Sequence, residues 1–154
     1  MQNNLLNNLS NTDKTLCTID EKTLNYFNFN SSVFVAKPCS IYDGDTFTAI
    51  FIFNGMHIKH KCRCVGYDCA EIKPKLNDPN REQEKKLAQL AKTRFTELIT
   101  AHPSGLCVIE CGEFDKYGRI LVKVFNGVES SSINDIMIKE GHGRIYNGGT
   151  KEEW

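Results

Sequence analysis

From Ser32 onward, apolar residues recur at two-residue spacing, the pattern of half-buried strands. Val33 to Ala36 predicts a first strand, ended by Pro38, which has no N–H to give to a ladder. Thr46 to Phe53 sets Phe47, Ala49, Phe51 and Phe53 against Thr46, Thr48, Ile50 and Ile52, and both sets suit a strand. Asn54-Gly55 is a two-residue hairpin signal, because both residues tolerate positive φ. The return strand runs from about Met56 to Val65, and Gly66 releases it into a loop carrying Asp68 to Glu71. The period then changes. Leu87, Leu90, Ala91, Phe95, Leu98 and Ile99, spaced by threes and fours, predict a helix from about Arg81 to Thr100, stopped by Pro103 and Gly105. Leu106 to Cys111 and Arg119 to Phe125 supply two more strands. Ser132 caps a short helix through Lys139, and Gly141 ends it. Five strands with a helix before the last two fit a five-stranded β-barrel of the oligonucleotide-binding type with flanking helices, an α+β arrangement.

The first residues have another texture. Eight of the first thirty are Asn and no period is sustained, which predicts an arm over residues 1–31 and a single domain over 32–154. Leu5, Leu6, Leu9 and Leu16 are the one hint of an amphipathic turn there. Nineteen basic and nineteen acidic side chains balance, so overall charge says nothing about a polyanionic partner; local placement decides that. The seven cysteines are odd in number, several sit in strand-like runs, and no secretory signal precedes them. With no segment of membrane-span length, these features predict an intracellular protein with reduced thiols. Cys62-x-Cys64 with His60 and Cys69 lacks zinc-knuckle spacing and reads as core packing. Lys85, Lys86, Lys92 and Arg94 read as the solvated face of the helix.

The chemistry concentrates in Asp43-Gly44-Asp45-Thr46, Arg63 and Asp68-Cys69-Ala70-Glu71, with a second arginine in Asp115-Lys116-Tyr117-Gly118-Arg119. Carboxylates in turns offer hard oxygens to a divalent cation, arginines hold phosphate oxygens, and a remaining carboxylate handles a water. Arg63, between two cysteines on a strand, points away from both thiols and toward a groove. This set suits a metal-dependent phosphodiesterase. These residues are expected at the groove and out of the core, so that substitutions there leave thermal stability nearly unchanged.

These motifs, together with Asn134…Gly141-His142-Gly143 and Tyr146-Asn147-Gly148-Gly149-Thr150-Lys151, resemble the staphylococcal nuclease (thermonuclease) family from about Val33 to Lys151. The resemblance implies a five-stranded barrel and calcium-dependent hydrolysis of DNA and RNA with low sequence specificity, by a monomer. It implies that Asp45, Asp68 and the Cys69 main-chain carbonyl hold Ca²⁺. Arg63 and Arg119 would hold the scissile phosphate, Glu71 would orient or deprotonate the attacking water, and Lys116 and Tyr117 would line the nucleotide pocket. Two departures stand out: Cys69-Ala70 replaces the common Thr-Pro, and only Tyr146 stands near the family's tyrosine pair. The alternative is a catalytically inactive barrel that binds nucleic acid or protein; such relatives are expected to lose Arg63, Glu71 or Arg119, all present here.

Overall fold

The hairpin at Asn54-Gly55 sets the architecture. In the computed structural model, which describes residues 10–149 and Trp154, these residues take φ of 48° and 77°. Such a turn matches the twist of the strands it joins. The chain before it holds a short helix α1 (Asn11–Thr15), two 3₁₀ turns, and strands β1 (Val33–Ile41) and β2 (Thr46–Phe53). After it come β3 (Met56–Cys64), β4 (Gly66–Asp68), α2 (Arg81–Ile99), β5 (Cys107–Phe114), β6 (Ile120–Phe125), α3 (Ile133–Lys139) and β7 (Arg144–Tyr146). Five strands close into a barrel in the order β1-β2-β3-β6-β5, with β3 and β6 parallel and the other neighbours antiparallel. Leu5, Leu6, Leu9, Thr150 and Lys151 lie outside the described residues.

The alternation expected of β2 puts Phe47, Ala49 and Phe51 inside, facing Cys62 and Cys64 of β3 and Ile109, Ile120, Val122 and Val124 of the later strands. The register runs from Phe53↔Met56 to Thr46↔Arg63, so the hairpin turn delivers Arg63 beside the β1–β2 loop. Asn134 of α3 locks the far end of β3 to β6. Its amide donates to the carbonyls of Val65 (2.9 Å) and Val122 (3.1 Å) and accepts the N–H of Val124 (2.9 Å). A buried amide satisfied this fully fixes the strand end that carries Arg63.

The structure departs from the pattern in four places. β1 continues through Pro38 to Ile41, because β5 pairs with it only at Val33–Ala36 and the missing N–H is not needed on an unpartnered side. Gly66–Asp68 is a short strand against β7, not a loop. α2 buries Glu84, Ala88, Ala91, Phe95, Leu98 and Ile99, while Leu90 is exposed. Its small residues face inward because the helix approaches Gly44 closely: a Cβ there would lie 2.9 Å from the Cβ of Ala91. Finally, the core reaches back to Phe29, inside the expected arm. Phe29 is buried, with the rings of Phe34, Phe51, Phe53 and Phe114 at 5.7, 5.5, 5.2 and 5.9 Å.

All seven cysteines are free thiols, five of them buried. Among the described residues no helix is long and apolar enough to cross a membrane.

Candidate active site

The loop between β1 and β2 folds around its own first carboxylate. Asp43 Oδ1 accepts the N–H groups of Asp45 (3.1 Å) and Thr46 (2.8 Å), the usual way an Asp shapes a turn. This directs Asp45 inward, where it is 2 % exposed. Its Oδ1 accepts from Arg63 Nη1 (2.9 Å) and the Thr46 hydroxyl (2.8 Å), and its Oδ2 accepts the Cys69 N–H (3.2 Å). The other end of the Arg63 fork, Nη2, donates to Asp68 Oδ1 at 2.7 Å. One guanidinium thus joins a buried carboxylate of the β1–β2 loop to one at the end of β4. Asp45 was expected at the groove surface; it is buried, with its oxygens turned to Arg63, Thr46 and the Cys69 N–H.

Three carboxylates, Asp43, Asp45 and Asp68, lie close to Arg63. Burial, with Asp43 beside it, pushes the Asp45 carboxyl up to about 7, against Arg63 and Thr46, which pull it down. Burial works against the charge of Arg63 too, but Asp45 and Asp68 outweigh it and hold the guanidinium above its ordinary value.

Tyr67 and Gly44 hold the loop in place. The fully buried tyrosine donates its hydroxyl to the Gly44 carbonyl at 2.8 Å, the partner a buried phenol requires. Gly44 permits this approach, since a Cβ there would lie 2.6 Å from Cys69 Sγ. Burial raises the Cys69 thiol above its ordinary value, so it sits as a packed neutral group.

Glu71 is exposed, and its N–H donates to Glu84 Oε1 (3.1 Å) in the first turn of α2. Arg119 enters from the start of β6. Its Nε donates to Asp115 Oδ2 at 2.6 Å, its N–H to Asp115 Oδ1 at 2.9 Å, and its Nη1 reaches Thr46 Oγ1 at 3.4 Å. Burial raises the Asp115 carboxyl, but these hydrogen bonds and that of the Tyr117 N–H outweigh it and hold it below the usual carboxylate range. The Arg119 guanidinium and the Lys116 ammonium lie 5.3 and 5.1 Å from the centre of the Tyr117 ring.

These groups share one cleft of about 790 Å³, bordered by Asp45, Arg63, Cys69, Glu71, Lys116, Tyr117 and Arg119. Of the residues given a catalytic, metal or substrate-binding role from the sequence, Asp68 lies off it, bordering a smaller neighbouring cleft with Arg144 and Trp154. Tyr42 and Tyr146 also border the main cleft. Tyr67 and Glu84 carry no motif signal; each acts through one hydrogen bond to a distant backbone group, which only the tertiary fold creates.

Among the described residues no three His, Cys, Asp or Glu side chains close around one point. The donor set at Asp45 and Asp68 is two carboxylates bridged by Arg63. Hard carboxylate oxygens suit Ca²⁺, which accepts irregular oxygen geometry and completes its shell with water.

The family model described as Staphylococcal nuclease homologue matches residues 61–153. No curated protein matches the chain.

Proposed function

Since the chain belongs to the staphylococcal nuclease homologue family, we propose that it hydrolyses phosphodiester bonds in DNA and RNA with the help of calcium. The observation that carries this reading is convergence: Asp45, Arg63, Glu71 and Arg119 come from four separate segments and border one cleft wide enough for a nucleotide. Asp45, Asp68 and the Cys69 carbonyl would hold the cation. When bound, the cation supplies a positive charge against which a phosphate oxygen is polarised.

The remaining work falls to this chain's own groups. Arg63 uses two of its five N–H donors on Asp45 and Asp68, leaving three for phosphoryl oxygens. The two carboxylates fix the plane of the fork, so little orientation is lost when a phosphate arrives. Arg119, held by Asp115, meets the phosphate from the other side. As phosphorus gains its fifth oxygen, the two guanidinium groups face the growing negative charge. Glu71, exposed at the cleft, orients the attacking water and accepts its proton. The α2 carboxylate of Glu84 keeps the Glu71 backbone in place. Lys116 and the exposed ring of Tyr117 receive the flanking nucleotide.

The test is digestion of single- and double-stranded DNA and RNA with Ca²⁺, Mg²⁺, Mn²⁺ or chelator, by the native chain and by Glu71→Gln and Arg119→Ala. Turnover should need added metal. Loss of one charge-stabilising donor should cost ~3–4 kcal/mol, a factor of several hundred in rate. Near-native turnover in both variants would show that cleavage does not use this site, full activity after chelation would overturn the calcium reading, and no turnover with any metal would transfer the protein to the non-cleaving class of barrels.

A further inference from the structure

β3 carries a regular row of basic side chains leading out of the cleft. Alternation along the strand places His57, Lys59, Lys61 and Arg63 on its outer face, opposite the face that buries Cys62 and Cys64. His57, Lys59 and Lys61 are exposed, and Arg63 is the cleft residue at the row's end. Across the sheet, Thr48 lies beside Lys61, and Ile50 lies between Lys59 and Lys37 of β1. Together β1, β2 and β3 contain Lys37, Lys59, Lys61 and Arg63 and not one Asp or Glu, in a chain whose acids equal its bases.

Two further facts mark the row as available. β6 pairs with β3 only at Cys62, Arg63 and Cys64, so the stretch with Lys59 and Lys61 has an open flank. Lys37, Lys59 and Lys61 make no ion pair among the described residues, whereas Lys85, Lys123 and Arg94 each hold an acidic partner.

We propose that Lys61 and Lys59, with His57 beyond them, form a rail that holds successive phosphates of a single strand on one side of the bond seated at Arg63. The proposal rests on the nucleic-acid reading above and adds where the strand runs. Alternate residues of a strand stand about 6.6–6.8 Å apart, a step that matches one nucleotide of an extended single strand. The phosphates of a duplex turn away from such a straight row. Lysines also guard an open strand edge against pairing with other chains, but that role leaves no trace in the salt dependence of binding.

The experiment is fluorescence anisotropy in chelator, with labelled oligothymidylates of about three and about twelve nucleotides, titrated across salt concentration. The proteins are the native chain, Lys59→Ala/Lys61→Ala, and Lys86→Ala/Lys92→Ala on the α2 face. Each lost phosphate contact lowers the slope of log K against log salt by ~0.7 for a single strand. The β3 variant should therefore lose about 1.4 in slope on the long probe, close to a 25-fold loss of affinity at 0.1 M relative to 1 M salt. On the short probe, which can reach no further than Lys61, its slope should fall by no more than about 0.7, and the α2 variant should match the native chain on both. An unchanged slope in the β3 variant, or an equal drop in the α2 variant, overturns the rail and leaves the nuclease reading intact. Native protein that binds neither probe overturns both.

Discussion

Truncating Arg63 to alanine should cost stability as well as turnover, and the loss should depend on pH. Arg63 joins Asp45 at 2.9 Å and Asp68 at 2.7 Å, and both carboxylates are buried. In Arg63→Ala, Asp45 keeps the Thr46 hydroxyl and the Cys69 N–H but no cation. Breaking a buried pair from one side costs ~3–5 kcal/mol, because a charge is left uncompensated. An exposed pair such as Lys85–Glu82 carries no such penalty, because solvent screens both charges. At ~2–4 °C per kcal/mol for a domain of this size, the midpoint should fall by roughly 6–20 °C at pH 8.

The sign of the pH effect follows from Asp45. Its folded pKa, about 7, lies above the ordinary carboxylate value, mainly through burial and then Asp43. The folded chain therefore binds a proton there that the unfolded chain has released. That stability is complete below the ordinary carboxylate range and is lost as pH rises through about 7. Without Arg63 the folded pKa rises further, so at pH 5 the variant folds with Asp45 protonated and the penalty shrinks. Urea unfolding of both proteins at pH 5 and pH 8 in chelator, with unchanged m, reads this directly. A loss under about 1 kcal/mol at pH 8, or an equal loss at both pH values, would refute the reasoning.

Two other outcomes are expected. Ca²⁺ competes with the proton for Asp45, so excess Ca²⁺ should raise the melting temperature more as pH rises through about 7, and should do so far less in Asp45→Asn; a calcium effect of equal size in both proteins would refute that site. Phe29→Ala should cost ~3–5 kcal/mol in denaturant titration, as an aromatic removed from a packed core does, whereas deleting residues 1–26 should cost little; the reverse order would show that the arm, and not Phe29, supports the barrel.

How much of this was legible from sequence depends on the range of the interaction. The β2–β3 hairpin and the α3 cap were legible because adjacent residues decide them, Asn54-Gly55 through positive φ and Ser132 by accepting the Asp135 N–H. Asp43, Asp45, Glu71 and Arg119 were marked in the sequence by the short motifs that hold them, and all four border one cleft. Pro38 misled because its tolerance depends on where β5 stops pairing, seventy residues away. Gly66–Asp68 looked like a loop because its partner, Arg144–Tyr146, lies at the other end of the domain. The inward phase of α2 was hidden because leucines and alanines both recur at helical spacing, and only the closeness of Gly44 selects the alanines.

The burial of Asp45 was the costliest omission, since it changes what the site residues do. A carboxylate at a groove surface can be altered with little effect on the fold. A carboxylate 2 % exposed, sharing one guanidinium with a second buried carboxylate, cannot. The Gly44 carbonyl that Tyr67 holds belongs to the same loop, so the fold stabilises the backbone around Asp45 while setting its charge against Asp43 and Asp68 as well as beside Arg63. That combination makes stability and the proposed cation binding two readings of one cluster. It also separates the two arginines: Arg63 is built into this cluster, whereas Arg119 hangs from Asp115 on its own turn. Substituting Arg119 should therefore affect catalysis with little change in folding, while substituting Arg63 affects both.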